Sequence, residues 1–204
     1  MIVEGGATVQ VLLLRGVNVG GHHKLPMALL REVLVELGGR QVRTYIQSGN
    51  AVLRAPGEGL EGRVQAALEV RLGFAVPVIR RTAAELEAVA GPHPLADPGG
   101  GLEGTLDKHL YVGFLDAWPD PARVAALHPD RSPPDRFQVS GREVYLAFPG
   151  GSARSRLTND WLDRALGVRS TWRNLLTVRA LLGLARELEA AGDQVPNQVP
   201  VVSL

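Results

Sequence analysis

An apolar run at residues 9–14, Val-Gln-Val-Leu-Leu-Leu, passes straight into Arg15-Gly16-Val17-Asn18-Val19-Gly20-Gly21, so a buried strand ends in a polar, glycine-rich turn. The segments that follow restrict the topology. Pro26 opens a helix at its first turn, where a missing N–H costs little. Met27, Leu30, Leu34 and Leu37 then recur at helical spacing as far as Gly38-Gly39. Val42, Thr44 and Ile46 alternate with Arg43, Tyr45 and Gln47, the period of a strand with one inward face. Ser48-Gly49-Asn50 makes a hairpin turn, and Ala51-Val52-Leu53 returns as the next strand. Leu60, Val64, Leu68 and Leu72 mark a second helix closed by Gly73, and Ala75-Val76-Pro77-Val78-Ile79 is a fourth strand. Proline cannot donate to a ladder, so Pro77 assigns that strand to an edge.

The order is β-α-β-β-α-β, the split motif of ferredoxin-like folds, whose fourth strand is an edge. Thr82-Ala83-Ala84-Glu85 is a capping box for a further helix, ended by Gly91-Pro92-His93-Pro94. The pattern then recurs: a strand at residues 109–115, a short helix capped by Asp120-Pro121, and a hairpin of Phe137-Gln138-Val139 with residues 144–148 around Ser140-Gly141. A helix with Leu157, Trp161 and Ala165 on one stripe stops at Gly167, and residues 168–172 form a short strand. Asn174 or Thr177 caps a last helix with Val178, Leu181, Leu182, Ala185 and Leu188 inward. Ser48-Gly49 and Ser140-Gly141 sit in equivalent hairpins, each followed by a valine, Val52 or Val144. Two readings account for that match: a diverged duplication, or chance, since Ser-Gly is a common turn pair. The duplication predicts an α+β chain of two ferredoxin-like βαββαβ halves, 1–91 and 109–192, the second carrying the C-terminal helix. A Pro- and Gly-rich linker at 92–108 joins them, and 193–204 is a loose tail.

The 204 residues are 45% hydrophobic and 21% charged, ordinary for a soluble globular protein. No apolar run approaches the ~20 residues of a membrane span, and the first residues lack the basic and apolar regions of a signal peptide. No membrane partner is expected, and a cytoplasmic location follows by default. The absence of cysteine excludes disulfides, thiolate catalysis and cysteine-ligated metal. A net charge of +1 conceals a pattern: residues 15–54 carry six basic and two acidic side chains, and 150–186 seven and two. Residues 55–120 carry five basic and ten acidic. Positive segments of this kind suit an anionic partner, and equally a solvated surface.

The polar motifs are long enough to identify a family. Leu13-Leu14-Arg15-Gly16-Val17-Asn18-Val19-Gly20-Gly21, Pro26-Met27 and residues 42–50 resemble the domain-of-unknown-function family 1697. Arg154-Ser155-Arg156-Leu157-Thr158-Asn159 resembles its R-S-[KR]-L-T-N motif, and Arg173-Asn174 with Thr177-Val178 its R-N-W-N-T-V motif. The resemblance runs from about Val9 to Leu188 and implies an α+β fold with ferredoxin-like halves. It implies no activity, because the family is named for lacking one. Leu175 and Leu176 replace its usual Trp and Asn, and His22-His23 its frequent Lys and Asn.

These motifs hold Arg, Asn, Gln, Ser and Thr, which bind and orient, and lack the His, Glu and Asp that titrate usefully near neutrality. The glycine turn matches neither the Walker loop nor the dinucleotide fingerprint, yet its N–H groups suit an oxyanion. The expected ligand is therefore anionic and phosphate-bearing, a nucleotide-like small molecule or nucleic acid. Arg15, Lys24, Arg43, Arg154, Arg156 and Arg173 would supply charge; Asn18, Gln47, Ser48, Asn50, Thr158, Asn159 and Asn174 would fix orientation. For several of these a structural role competes: turn glycines with positive φ, a salt-bridged sheet facing a helix around Arg43, and helix capping for Ser155 and Asn174. His22-His23 lack metal-ligand spacing, and no cofactor is expected. A transferase or hydrolase using arginine electrostatics, and an interaction module pairing through an edge strand into a homodimer, are the alternatives.

Overall fold

The computed structural model describes residues 7–56, 58–96 and 107–192. The tail expected at 193–204 and the middle of the linker expected at 92–108 lie outside the described residues.

The first sheet is built from β1 (Thr8–Leu14), β2 (Arg40–Tyr45), β3 (Asn50–Ala55) and β4 (Val78–Thr82), in the order β2-β3-β1-β4 with every pair antiparallel. Helices α1 (Met27–Glu36) and α2 (Leu60–Leu72) occupy the two crossovers. β5 (Leu110–Leu115), β6 (Arg136–Ser140), β7 (Glu143–Ala147) and β8 (Ser170–Asn174) form the second sheet in the equivalent order β6-β7-β5-β8, with α4 (Pro121–Ala125) and α5 (Asn159–Leu166) as its crossovers. Both sheets have the ferredoxin-like strand order, so the chain is α+β with two similar halves. Helix α3 (Ala83–Ala90) follows β4, and α6 (Leu175–Ala191) follows β8. The two compact units are Met1–Ala83 with Leu181–Leu204, and Ala84–Ala180; α3 belongs to the second unit, and α6 begins in the second and ends in the first.

Strand alternation sends one row of side chains to each sheet face. In the first unit Leu12, Leu14, Ala51 and Leu53 pack with Leu30, Leu34, Leu60, Val64 and Leu68 of α1 and α2. The other face carries Val11, Val52 and Arg43 in one register row. The end of α6 lies along it: Arg43 pairs with Glu187 at 2.5 Å, and Arg54 Nη2 donates to the Leu188 carbonyl at 3.0 Å. In the second unit Leu115, Val144 and Leu146 pack with Leu157, Leu162 and Leu166. The inward face expected of α6 is correct, with Val178, Leu181, Leu182, Ala185 and Leu188 all buried.

Several local expectations need correction. β4 is an edge strand but starts at Val78; Pro77 precedes it and serves through its carbonyl, which accepts from Arg15 N at 2.9 Å. Although it is an edge, β4 buries Val78, Ile79 and Arg81. Pro26 is the residue before α1 rather than its first. Ile46 leaves the alternation of β2 because it belongs to the turn, with φ +47° and 52% exposure. In α5 the buried side chains are Leu162 and Leu166, while Trp161 and Ala165 are half-buried. Ser140 ends β6 as a strand residue, and β8 starts at Ser170.

Candidate functional site

Three connections meet at one end of the first sheet. β1 leaves it at Leu14, whose N–H donates to the Gly49 carbonyl of the β2–β3 hairpin at 2.8 Å; the next amide, Arg15, reaches Pro77 at the start of β4. Gly49 sits so close to Leu14 and Val17 that an added Cβ would lie 2.6 Å from Val17 Cγ2 and 2.7 Å from Leu14 Cβ. The Leu14 and Val17 side chains therefore press on the hairpin at a position that only glycine permits.

Asn18 ties this end together. Its Nδ2 donates to Gln47 O at 2.7 Å and Leu25 O at 2.9 Å, its Oδ1 accepts from Leu25 N at 2.9 Å, and its own N–H donates to His23 O at 3.1 Å. Asn50 braces the hairpin from inside: fully buried, it donates to Tyr45 O at 3.1 Å and Ser48 Oγ at 2.9 Å. These bonds hold a backbone that is costly on its own. Asn18, His23 and Ile46 all have positive φ, and for a β-branched residue such as Ile46 that is a rare state. Strain of this kind persists only where the surroundings over-determine it, and it clusters at functional sites.

The connection also changes the sign of φ repeatedly. Gly16, Asn18, Gly20, Gly21 and His23 have positive φ, whereas Val17, Val19 and His22 do not. Left-handed residues in a turn can aim backbone N–H groups into a concavity, a shape that receives anions. The N–H groups of Gly16, Gly20 and Gly21 donate to no described residue, and a Cβ at any of the three would meet nothing within 4 Å. Residues 15–26 contain Arg15 and Lys24 and no carboxylate, and Lys24 is exposed.

Of the residues expected to bind, the fold brings Arg15, Asn18, Gln47, Ser48 and Asn50 to this end. Asn18 and Asn50 serve the shape of the loops, Gln47 is exposed and Ser48 half-exposed. Arg43 does not join them; it lies up the strand in its pair with Glu187, the salt-bridged, helix-facing arrangement foreseen as the alternative.

The second-half motif is a brace with two cations on it. Thr158 is the α5 cap, its Oγ1 accepting from Trp161 N at 3.2 Å, which corrects the expectation that Ser155 caps. Ser155 Oγ instead accepts from Leu157 N at 2.9 Å, and Ser132 Oγ accepts from Arg156 N at 3.0 Å. Asn159 Nδ2 donates to Ser170 Oγ at 3.1 Å, at the start of β8. Arg154 and Arg156 remain exposed. Arg173 and Asn174 lie at the opposite end of β8. Arg173 is 8% exposed, donates to Thr171 Oγ1 at 2.8 Å and Trp172 O at 2.9 Å, and burial pulls its pKa down to about 10. Asn174 Oδ1 caps α6, accepting from Thr177 N at 2.9 Å.

Two features escaped the sequence reading. Arg81, 1% exposed, is opposite Val11 just as Arg173 is opposite Val112; each precedes the residue that ends its edge strand before a helix. The repeated pair Arg81-Thr82 and Arg173-Asn174 is the signal that would have found it. Arg131 is the other: its Nε donates to Arg156 O at 3.2 Å, and its guanidinium lies 4.7 Å from the Trp161 ring centre. Among the described residues there is no group of three or more potential metal ligands, and no helix is long and apolar enough to cross a membrane.

Comparison with known proteins agrees with this architecture. The chain is similar in structure to a conserved bacterial protein, SP0830 from Streptococcus pneumoniae, with a TM-score of 0.59 and 20% identity, covering 88% of this chain and 99% of that one. No curated protein matches. The model of the family described as "Protein of unknown function (DUF1697)" matches residues 8–145, about two thirds of the chain, taking in β1 to β6, the first part of β7 and the entire Asn18-clamped end of the first sheet. The chain thus belongs to the DUF1697 family.

Proposed function

We propose that the Asn18-clamped end of the first sheet binds an anionic, phosphate-bearing ligand, a nucleotide-like molecule or a nucleic acid phosphate. The observation that carries this reading is the left-handed backbone at Gly16, Gly20 and Gly21, whose N–H groups donate to no described residue and where a Cβ would meet nothing within 4 Å. Arg15 and Lys24 flank it, and residues 15–26 hold no carboxylate. A flexible loop would have to order itself around a phosphate; this one has its hydrogen bonds already made, so less ordering entropy opposes binding.

A thermal-shift titration with nucleotides and inorganic phosphate tests the reading. A ligand at about 100 times its Kd adds about 2.7 kcal/mol of stability. The stabilisation should survive moderate salt and fall in Arg15→Ala and in Gly21→Ala, which disfavours the left-handed N–H arrangement without a clash. Stabilisation that both variants retain would place the ligand elsewhere and end this proposal.

A further inference from the structure

Independently of the first sheet, we infer that Arg131, Arg154 and Arg156 of the second unit form a preorganised phosphate-binding platform for single-stranded nucleic acid. Arg131 is fixed twice, by its Nε bond to Arg156 O and by its cation–π contact with Trp161, whose ring meets Phe137 edge-on at 5.5 Å. Its Nε is the atom engaged internally, which leaves the terminal nitrogens as donors.

The backbone carrying the other two arginines is equally fixed. Ser155 N closes a 3-10 turn (Ser152–Arg154) onto Ser152 O at 3.2 Å, and Ser132 Oγ holds Arg156 N while donating to Asp135 at 2.9 Å. Yet Arg154 and Arg156 themselves are exposed, and among the described residues none of the three arginines is within ion-pair distance of a carboxylate. Asp130 and Asp160 neighbour Arg131 and Trp161 in sequence, and Asp135 is occupied by Ser132. A framework that fixes the backbone and leaves the charges unpaired is shaped for an anion from outside.

The spacing selects the class of anion. Ser155 between the two arginines is extended, φ −71° and ψ 143°. Their stems therefore leave the chain about 6–7 Å apart, comparable with neighbouring phosphates on a stretched single strand. The outer face of a guanidinium held on an indole is a surface on which a base stacks, and single strands are recognised by such planes with cationic tracks.

The test is fluorescence anisotropy with a labelled oligothymidylate of about 15 nucleotides, titrated between about 50 and about 200 mM KCl. Three neutralised phosphates give a slope of log K against log salt near −2, about a 15-fold loss across that range. Arg154→Ala with Arg156→Ala should reduce the slope to about −0.7. Arg131→Lys should keep the slope and weaken binding several-fold, because the charge remains and the planar stack does not. Arg71→Ala, in the exposed Arg71–Glu36 pair of the first unit and outside both sites, should change nothing, which separates this platform from general surface charge. Absence of binding at low salt overturns the inference, as does an unchanged slope in the double variant. Equal binding of duplex, or equal competition by polyphosphate or polyglutamate, overturns its assignment to single-stranded nucleic acid.

Discussion

The two sheets end in the same way and are then finished in opposite ways. Leu14 N to Gly49 O and Arg15 N to Pro77 O in the first unit correspond to Leu115 N to Arg142 O and Asp116 N to Arg169 O in the second. The residue leaving the central strand is thus arginine in one half and aspartate in the other. In the second half that aspartate closes on itself: Asp116 accepts from Arg169 N and from Arg169 Nε, both at 2.9 Å. The first half cannot copy this, since Pro77 stands where Arg169 does and has no N–H. Asp116 is followed by only a short connection to α4, whereas Arg15 begins the glycine-rich run to α1. The same topology yields one end consumed by its own ion pair and one with backbone donors left over, so fold likeness between the halves carries no likeness of function.

The hairpins give the largest expected difference. Gly49→Ala combines a left-handed φ of +73° with contacts of 2.6 and 2.7 Å to Val17 and Leu14. About 1–2 kcal/mol for the left-handed alanine and about 1–3 kcal/mol for overpacking make it destabilising by about 3 kcal/mol or more. Gly141→Ala, at φ +62°, meets only the movable edge of Trp118 at 3.3 Å and should cost about 1–2 kcal/mol. Urea unfolding of the two variants measures the contrast; equal losses would mean that the hairpins carry equal loads.

Next are the residues that finish each end. Asn18→Ala removes three side-chain bonds, at about 0.5–1.5 kcal/mol each, and should cost about 2–3 kcal/mol together with phosphate-ligand binding. Asp116→Ala breaks an exposed pair with Arg169 and should cost less than about 1 kcal/mol, and less still in high salt. A larger loss for Asp116→Ala than for Asn18→Ala would reverse the assignment of the clamp.

A buried histidine distinguishes the second unit by pH. His93 Nδ1 accepts from Leu95 N at 3.3 Å, so Nε2 carries the proton toward Tyr111 O at 3.1 Å, and the edge of one ring meets the other at Tyr145. Burial holds the His93 pKa below its ordinary 6.5, outweighing the pull of the Tyr111 carbonyl and Asp107. The unfolded chain therefore binds the proton more readily, and stability should fall as pH drops through about 6.5 and level off below the lowered folded-state value. His93→Gln should flatten that limb of a pH series of unfolding midpoints; an unchanged limb would assign it to other groups.

The duplicated order of strands and helices was readable because burial leaves a period: 2 in the strands, 3.6 in α2 and α6. Polar roles were less readable, because a side chain's partner is set by tertiary register. Asn18 and Asn50 look like ligand donors in a string of letters, yet their amides face carbonyls 29 and 5 residues away. Thr158 capped α5 where Ser155 was expected, because Ser155 turns back onto its own loop. Arg131 gave no signal at all: its partners, Arg156 and Trp161, are separated from it by β6 and β7. What remained legible was local charge, since segments 15–26 and 150–159 hold four arginine or lysine side chains and no acid.

The smallest expected effect tests whether every glycine in these motif-bearing regions is needed for shape. Gly183 lies within α6, with ordinary helical φ, and a Cβ there would meet nothing within 4 Å. It therefore resembles neither Gly49, which is hemmed in, nor Gly21, which needs a left-handed backbone. An alanine at 183 gains helix propensity at no steric cost, so Gly183→Ala should stabilise by about 0.5–1 kcal/mol. The substitution should raise the unfolding midpoint without changing the denaturant slope. A loss of stability would show that α6 must bend at Gly183, making this glycine a hinge rather than a remnant.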